Sequence, residues 1–362
     1  MQKWISKLLF IVNIILALGL LMSYSAKYIS PSLSFIIALS GMAYSYLLVI
    51  FLLFNILLLI IKKYKWVLVN GIILLLGWNN LNALVQFNFP NKTPADFRIL
   101  SYNIRLFDLY NWSNNQESKQ EILDYIKQQN PNIVSFQEFY YDNQSFLIDS
   151  VAKALDMPYY YVTDSRFLRG TSHFGQAIFS QYPIKNSNAI HFPNTRNIAL
   201  YCDIEIQKNR TIRVFNNHLE SYRFKKNDYQ LIEEMKTEKK PEINKMLGLV
   251  QRLELALIKR SYQAEKIASL INSSPYPVIV TGDFNDTPNS YTYHQISRYL
   301  SDAFVESGWG FSNTYKGSFP SFRIDYILYN QPLKSINYKR SKFDISDHYP
   351  IYSDFIFDTN NQ

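Results

Sequence analysis

The octapeptide TGDFNDTP, Thr281 to Pro288, follows YPVIV (residues 276–280), an apolar run rich in β-branched residues. Such a run predicts a buried strand. A strand ending in Gly-Asp-Phe-Asn-Asp carries two carboxylates and an amide at its tip. Two readings compete for them. Asp, Asn and Gly favour turns through local side-chain to backbone bonds, so the stretch can be punctuation before Pro288. Alternatively it is a metal or phosphate site at the carboxyl end of a strand. On extended backbone Asp283 and Asn285 face one way, which leaves Asp286 on the other side to fix the loop.

Strand-like and helix-like segments alternate around it. FRILSYNI (97–104), NIVSFQEF (132–139), GQAIFSQYPI, IALYCDIEI and TIRVFNNHL (211–219) read as strands. QEILDYIKQQ (120–129), FLIDSVAKAL (146–155) and the stretch 249–271 read as helices. FRIDYILYN (322–330) and YPIYSDFIF (349–357) alternate as half-buried strands do. This order suggests α/β layers rather than a simple doubly wound sheet. Residues 221–247 are rich in Lys and Glu and read as a solvated helical insertion rather than a binding element.

The oddity of the opening stretch recurs. Asn103 stands near the end of the first strand, Glu138 at the end of another and His218 at a third terminus. Asp347 and His348 precede the last strand, and Asp325 lies inside an otherwise apolar one. Each alone is an ordinary strand end, core histidine or turn. Together they supply what phosphate-ester hydrolysis needs: oxygen ligands for a hard cation, a group to deprotonate water, and donors for phosphate oxygens. Zinc fits less well, since no short His-x-His or His-Glu-x-x-His spacing is present.

In this order, SYN, QE, HLES, GDFNDTP, RIDYI and SDHYP resemble the endonuclease/exonuclease/phosphatase superfamily over residues 97–357. The resemblance implies the DNase I-like fold, a four-layer α/β sandwich of two mixed β-sheets flanked by helices, and Mg2+-dependent phosphoester hydrolysis, with Mn2+ as a substitute. Glu138 would be the principal metal ligand, with Asn103 beside it and Asp347 close by. Asp283 would position and deprotonate the attacking water, Asn285 would hold the phosphate and His218 would donate to one of its oxygens. Asp325 would orient His348, which stabilises the pentacovalent phosphate. Asn217 stands where the family often has Thr, and the 221–247 insertion falls beside the expected mouth of the site.

The first quarter of the chain is of another kind. Residues 1–90 contain six lysines and no Asp, Glu or Arg, so most of the net +8 resides there and the remainder is only +2. That balance does not describe a nucleic-acid-binding surface. Residues 8–22, 33–61 and, more weakly, 66–78 are apolar runs that predict about three transmembrane helices within 1–86, with Asn13 and Asn70 inside two of them. Ser30-Pro31 suits the start of the second. A linker over 87–96 then leads to the phosphoesterase domain, 97–358. Lys62, Lys63 and Lys65 between the second and third runs put that loop and the N-terminus in the cytoplasm. The chain is thus read as a multi-pass protein of a bacterial inner membrane with its domain on the extracytoplasmic side. Small residues near Ser23 and Ser25 are compatible with a cleaved leader, which would leave two spans and the same final side. Cys202, the single cysteine, excludes an internal disulfide.

The expected protein is a monomer, anchored by its N-terminal helices, acting on a phosphodiester or phosphomonoester such as a lipid head group or an envelope phosphate. An extracytoplasmic nuclease is the first alternative, disfavoured by the weak positive field. A catalytically silent tethered module is the second, and it predicts erosion of a polar set that is here complete.

Overall fold

The computed structural model describes residues 2–358, apart from 90, 143, 145, 165–171, 225–227, 229, 232–233, 235–242 and 318–320. The N-terminal helices are α1 (Gln2–Ser25), α2 (Phe35–Met42), α3 (Tyr44–Ile60), α4 (Tyr64–Leu76) and α5 (Trp78–Asn82). Within α1, Trp4–Ser25 is long and apolar enough to cross a membrane. α2 and α3 pass the same test only as a pair, bent by 67°. α4 is shorter, at 13 residues.

The continuous second span expected over 33–61 is therefore broken. The break falls at a close approach: a Cβ on Gly41 would stand 2.5 Å from the Ala26 Cβ and 2.8 Å from the Asn289 carbonyl oxygen. The α2 N-cap is Ser34, which accepts from the Ile37 amide, rather than the expected Ser30-Pro31. Inside the bundle Leu20 packs with Tyr44, Leu48 and Phe51. The two asparagines noted in the apolar runs meet there, since the Asn70 side-chain amide donates to Asn13 at 2.7 Å and to Asn55 at 2.9 Å. Such bonds are the usual use of amides between apolar helices.

The rest of the chain forms two six-stranded mixed sheets. The first takes the order β13–β14–β2–β3–β5–β4, from β2 (Phe97–Asn103), β3 (Ile133–Asp142), β4 (Tyr159–Asp164), β5 (Ser172–Ser180), β13 (Leu333–Arg340) and β14 (Ile351–Phe357). The second takes the order β10–β12–β9–β8–β7–β6, from β6 (Ile184–His191), β7 (Ile198–Gln207), β8 (Arg210–His218), β9 (Val278–Asp283), β10 (Ser301–Asp302) and β12 (Asp325–Tyr329). β1 (Val85–Phe87) pairs with β11 (Trp309–Phe311), so the start of the expected linker is tied to the domain.

Ile99, Ile133 and Ile178 of the first sheet meet Cys202, Ile212, Val214 and Ile279 of the second in one core. Each such buried aliphatic side chain contributes about 1.5–3 kcal/mol relative to exposure. The outer face of the first sheet is covered by α6 (Ser118–Gln129) and α7 (Ile148–Leu155) through Ile122, Ile126, Val151 and Leu155. The second is covered by α8 (Ile243–Asn272) and α9 (Tyr291–Ser297) through Ala264, Ile267 and Ile296. The four-layer sandwich is thereby complete.

One boundary differs from expectation. α8 begins at Ile243, so the last residues of the expected insertion belong to the long helix, whose apolar stripe continues there. Most of the insertion lies outside the described residues; its described part includes Leu231, which is buried, and Asp228, which is paired with Arg252.

Candidate active site

Strand register brings the site together. In the second sheet His218 is the β8 partner of Asp283 on β9, and Asp325 on β12 is its partner from the other side. Three neighbouring strands thus present His, Asp and Asp in one row, where side chains are close enough to interact directly. Asp325 opens β12 instead of lying inside it, because the preceding residues run as loop up to Ile324.

The first sheet contributes from across the sandwich. Asn103 closes β2 and pairs with Gln137 of β3. Glu138 is not at a strand end, as expected, but at a bulge within the ten-residue β3. The pairing with β5 shifts between Phe136 and Phe139, and Glu138 has φ of 50°. A bulge re-aims its side chain, and here it turns an inner-strand carboxylate toward the site.

Between the sheets, the Gln137 amide donates to the Asn216 Oδ1 at 2.6 Å, and the Asn216 amide donates to the Phe136 and Ala177 carbonyls. This buried pair was not singled out from the sequence. Its signal is adjacency: it lies one residue before Glu138 and two before His218.

The distances are short. Asn103 Nδ2 donates to Asp283 Oδ2 at 3.1 Å, and His218 Nε2 stands 3.9 Å from the same oxygen and 3.7 Å from Glu138 Oε1. His348 Nε2 is 3.7 Å from Asp283 Oδ2, while its Nδ1 is 2.9 Å from Asp325 Oδ2. Asp347, next to His348, is 3.6 Å from the Arg105 guanidinium.

Asn285 reaches Asp283 differently from the extended alternation expected. It has φ of 53°, donates its amide N–H to Asp283 Oδ1 at 2.8 Å, and holds the Leu219 carbonyl with Nδ2. The tip of β9 is therefore both a turn and part of the site, because an Asp-capped turn folds Asn285 back over the carboxylate.

Asp286, expected to face away, also borders the cavity over Asp283, and its partner is a charge. It is buried with its carboxylate 3.9 Å from the Nη1 of Arg260, itself buried in α8.

Electrostatics sort the groups. Burial alone would lower the His348 pKa, but Asp325 and Asp283 outweigh it and raise it to about 10, so the ring is an imidazolium donating to Asp325. Burial lowers the His218 pKa, leaving a neutral ring near neutral pH. Burial also raises the Asp283 carboxyl above the usual carboxylate range.

Glu138 is pushed up to about 7 by burial, then by the nearby Asp347 and Asp283 charges. Negative groups crowded this way suit a divalent cation with a preference for oxygen ligands. Asp283, Asp325 and His348 also lie close enough to share an ion. An imidazolium offers no lone pair, however, so the Glu138 side of the site is the better cation seat.

The family model for Endonuclease/Exonuclease/phosphatase proteins matches residues 100–348, the span that holds all eight residues. The chain belongs to this family. Its members are hydrolases of phosphate esters and generally use divalent metals. A second model, for a domain of unknown function, matches residues 6–84. No curated protein matches.

Among solved structures, the human Nocturnin catalytic domain with bound sulfate is 18% identical over 75% of this chain and 96% of that one, with TM-score 0.53. An endonuclease/exonuclease/phosphatase from Beutenbergia cavernae is 17% identical over 73% and 72%, with TM-score 0.52. A family protein from Leptotrichia buccalis is 17% identical over 72% and 100%, with TM-score 0.51. At such identities the likeness establishes the fold alone.

Proposed function

We propose that this chain is a membrane-anchored phosphoesterase that hydrolyses a phosphodiester or phosphomonoester at the extracytoplasmic face. The observation that carries the reading is the convergence on Asp283 of Asn103 from β2 and His348 from the loop before β14, both of the first sheet, with His218 and Asn285 of the second. A divalent cation, Mg2+ or Mn2+, held by Glu138 with Asn103 and Asp347 beside it, would neutralise charge developing on the phosphate.

Asp283 accepts a proton from water as the water oxygen bonds to phosphorus and the ester P–O bond breaks. The departing alkoxide takes a proton from solvent. Its raised pKa brings the Asp283 carboxylate closer to the basicity that this task requires. His348, charged and held by Asp325, and His218 with Asn285 donate to non-bridging oxygens.

The proposed topology has three crossings, with 1–86 as membrane region, 87–96 as linker and 97–358 as catalytic domain. It is supported by where the helices end. Tyr28, after α1, stacks edge-on against His294, Gly41 abuts Asn289, and the Ala83 carbonyl after α5 accepts from Arg323. These three ends share the domain's side, which leaves Lys62, Lys63 and Lys65 at the far one. The packing of α1 against α3 favours its retention over a cleaved leader.

The test has two parts. Purified protein with Mg2+ is assayed on p-nitrophenyl esters, phospholipids, sugar phosphates, DNA and RNA; turnover of a non-nucleic ester is expected, and no turnover of any ester ends the reading. A reporter fused after Gln362 should work only when exported. One working only in the cytoplasm overturns the topology.

A further inference from the structure

We propose that the substrate is an amphiphile: its phosphate ester enters the catalytic cavity while its hydrocarbon chain lies in an adjoining apolar cavity walled by the α2–α3 break. The inference rests on the phosphoesterase reading and on the membrane placement of the helices.

Two cavities meet at the site. The catalytic one, about 210 Å3, is lined by Glu138, His218, Asp283, Asn285 and His348, and its aromatic walls include Tyr222 and Phe322. The second, about 140 Å3, is lined by Met42, Tyr44, Leu84, Pro288, Phe311 and Phe322. They share Thr287 and Phe322 as common walls. The first cavity holds the charged catalytic groups among aromatic walls, whereas the second is mostly apolar, with Arg323 and Asn313 also on its border. A molecule spanning both has a polar ester at one end and an apolar chain at the other.

The helical region does more than border this path. The Tyr222 hydroxyl donates to the Met42 sulfur at 3.0 Å, and the Tyr46 ring meets Phe322 edge-on at 6.1 Å. Two aromatic walls of the catalytic cavity are thus braced by the bend between α2 and α3. The Gly41 contact with Asn289 holds that bend against the loop that follows TGDFN.

Beyond the bend the path stays apolar. Tyr46, Val49 and Leu53 lie along one face of α3, each about half exposed or more. A chain entering from lipid along this face would reach the ester site without crossing water. A water-soluble ester makes no use of the second cavity. Burying about two methylenes there is worth roughly tenfold in kcat/KM when the gain is realised in the transition state.

The experiment uses the full chain in lipid nanodiscs with Mg2+ and two diesters that share one scissile bond, dodecyl and ethyl p-nitrophenyl phosphate. The wild-type ratio of kcat/KM, dodecyl over ethyl, should be about tenfold or more. Ser45→Trp, which fills the second cavity, should collapse the ratio toward one. Leu59→Trp, at the far end of α3, should keep it.

If Ser45→Trp lowers the unfolding temperature sharply, Met42→Phe gives the same reading. A wild-type ratio near one, or a ratio unchanged in a folded cavity variant, overturns the proposal while leaving the phosphoesterase intact. Failure of the wild type on both diesters overturns the proposal, and cleavage of an oligonucleotide instead would point to a nuclease. Only failure on p-nitrophenyl phosphate and every other ester as well overturns the phosphoesterase reading.

Discussion

The sandwich and the helical bundle place their buried polar groups by opposite rules. In the bundle, the Asn70 amide donates to Asn13 and Asn55 between apolar helices, which makes the three fasteners. In the sandwich, Asp283 is buried among groups that partly satisfy it, and Glu138 opens to a cavity with its pKa pushed up to about 7 by burial and neighbouring carboxylates. A fastener ends at its partner, whereas an under-compensated carboxylate needs a cation or a proton. The same logic separates Asp286 from Asp283, three residues apart: both border the cavity, but Asp286 has the buried Arg260 beside it, whereas Asp283 meets Asn103, His218 and His348.

The largest effect that would sharpen this contrast is loss of the cation. Excess chelator should abolish turnover, and Glu138→Gln should weaken Mn2+ binding measured by calorimetry while circular dichroism stays unchanged. Full activity in chelator would break the assignment of Glu138.

Next comes the pair within GDFND. Asp283→Asn should lower kcat by at least about 10²-fold, the lower range for general-base catalysis, with little change in unfolding. Asp286→Asn should leave Arg260 without its counterion and cost about 3 kcal/mol in denaturant unfolding, the lower end for breaking a buried pair. Equal rate losses and equal stabilities in the two variants would erase the distinction.

A smaller change is expected from Asp325→Asn. Its carboxylate is the largest influence raising the His348 pKa to about 10. Removing it leaves only Asp283 and Asp347 against burial, so the pKa falls and the imidazolium is lost at lower pH. The alkaline limb of the kcat–pH profile should move toward neutrality, with about a tenfold loss at pH 8. An unmoved limb would mean that His348 does not act in its charged form.

The smallest effect belongs to the bundle. Asn70→Leu removes bonds to Asn13 and Asn55 and should cost about 1 kcal/mol in detergent unfolding, without changing turnover on a soluble ester.

Much of the sandwich was legible because buried strands and amphipathic helices have periods of their own. α6, α7 and most core strands fall where apolar spacing puts them. The candidate site was legible because most of its residues stand at or beside strand ends in a fixed order, which only the resemblance could connect. Less legible were features set by contacts distant in the chain. Glu138 sits at a bulge because β3 must pair with two neighbours of different register. Asp286 looked like turn punctuation because Arg260, 26 residues earlier, carries no mark of its burial.

By itself the sequence determined that an apolar, acid-free N-terminal region precedes an α/β domain, and it singled out eight polar residues as candidates for the site. Composition and periodicity are local properties, and so they survive without the fold. Only the tertiary structure decided that the apolar run 33–61 bends at Ala43 to brace Tyr222 and Phe322, and that a second cavity opens beside the first. A bend and a cavity are made by surfaces meeting across hundreds of residues, and no spacing along the chain encodes that meeting.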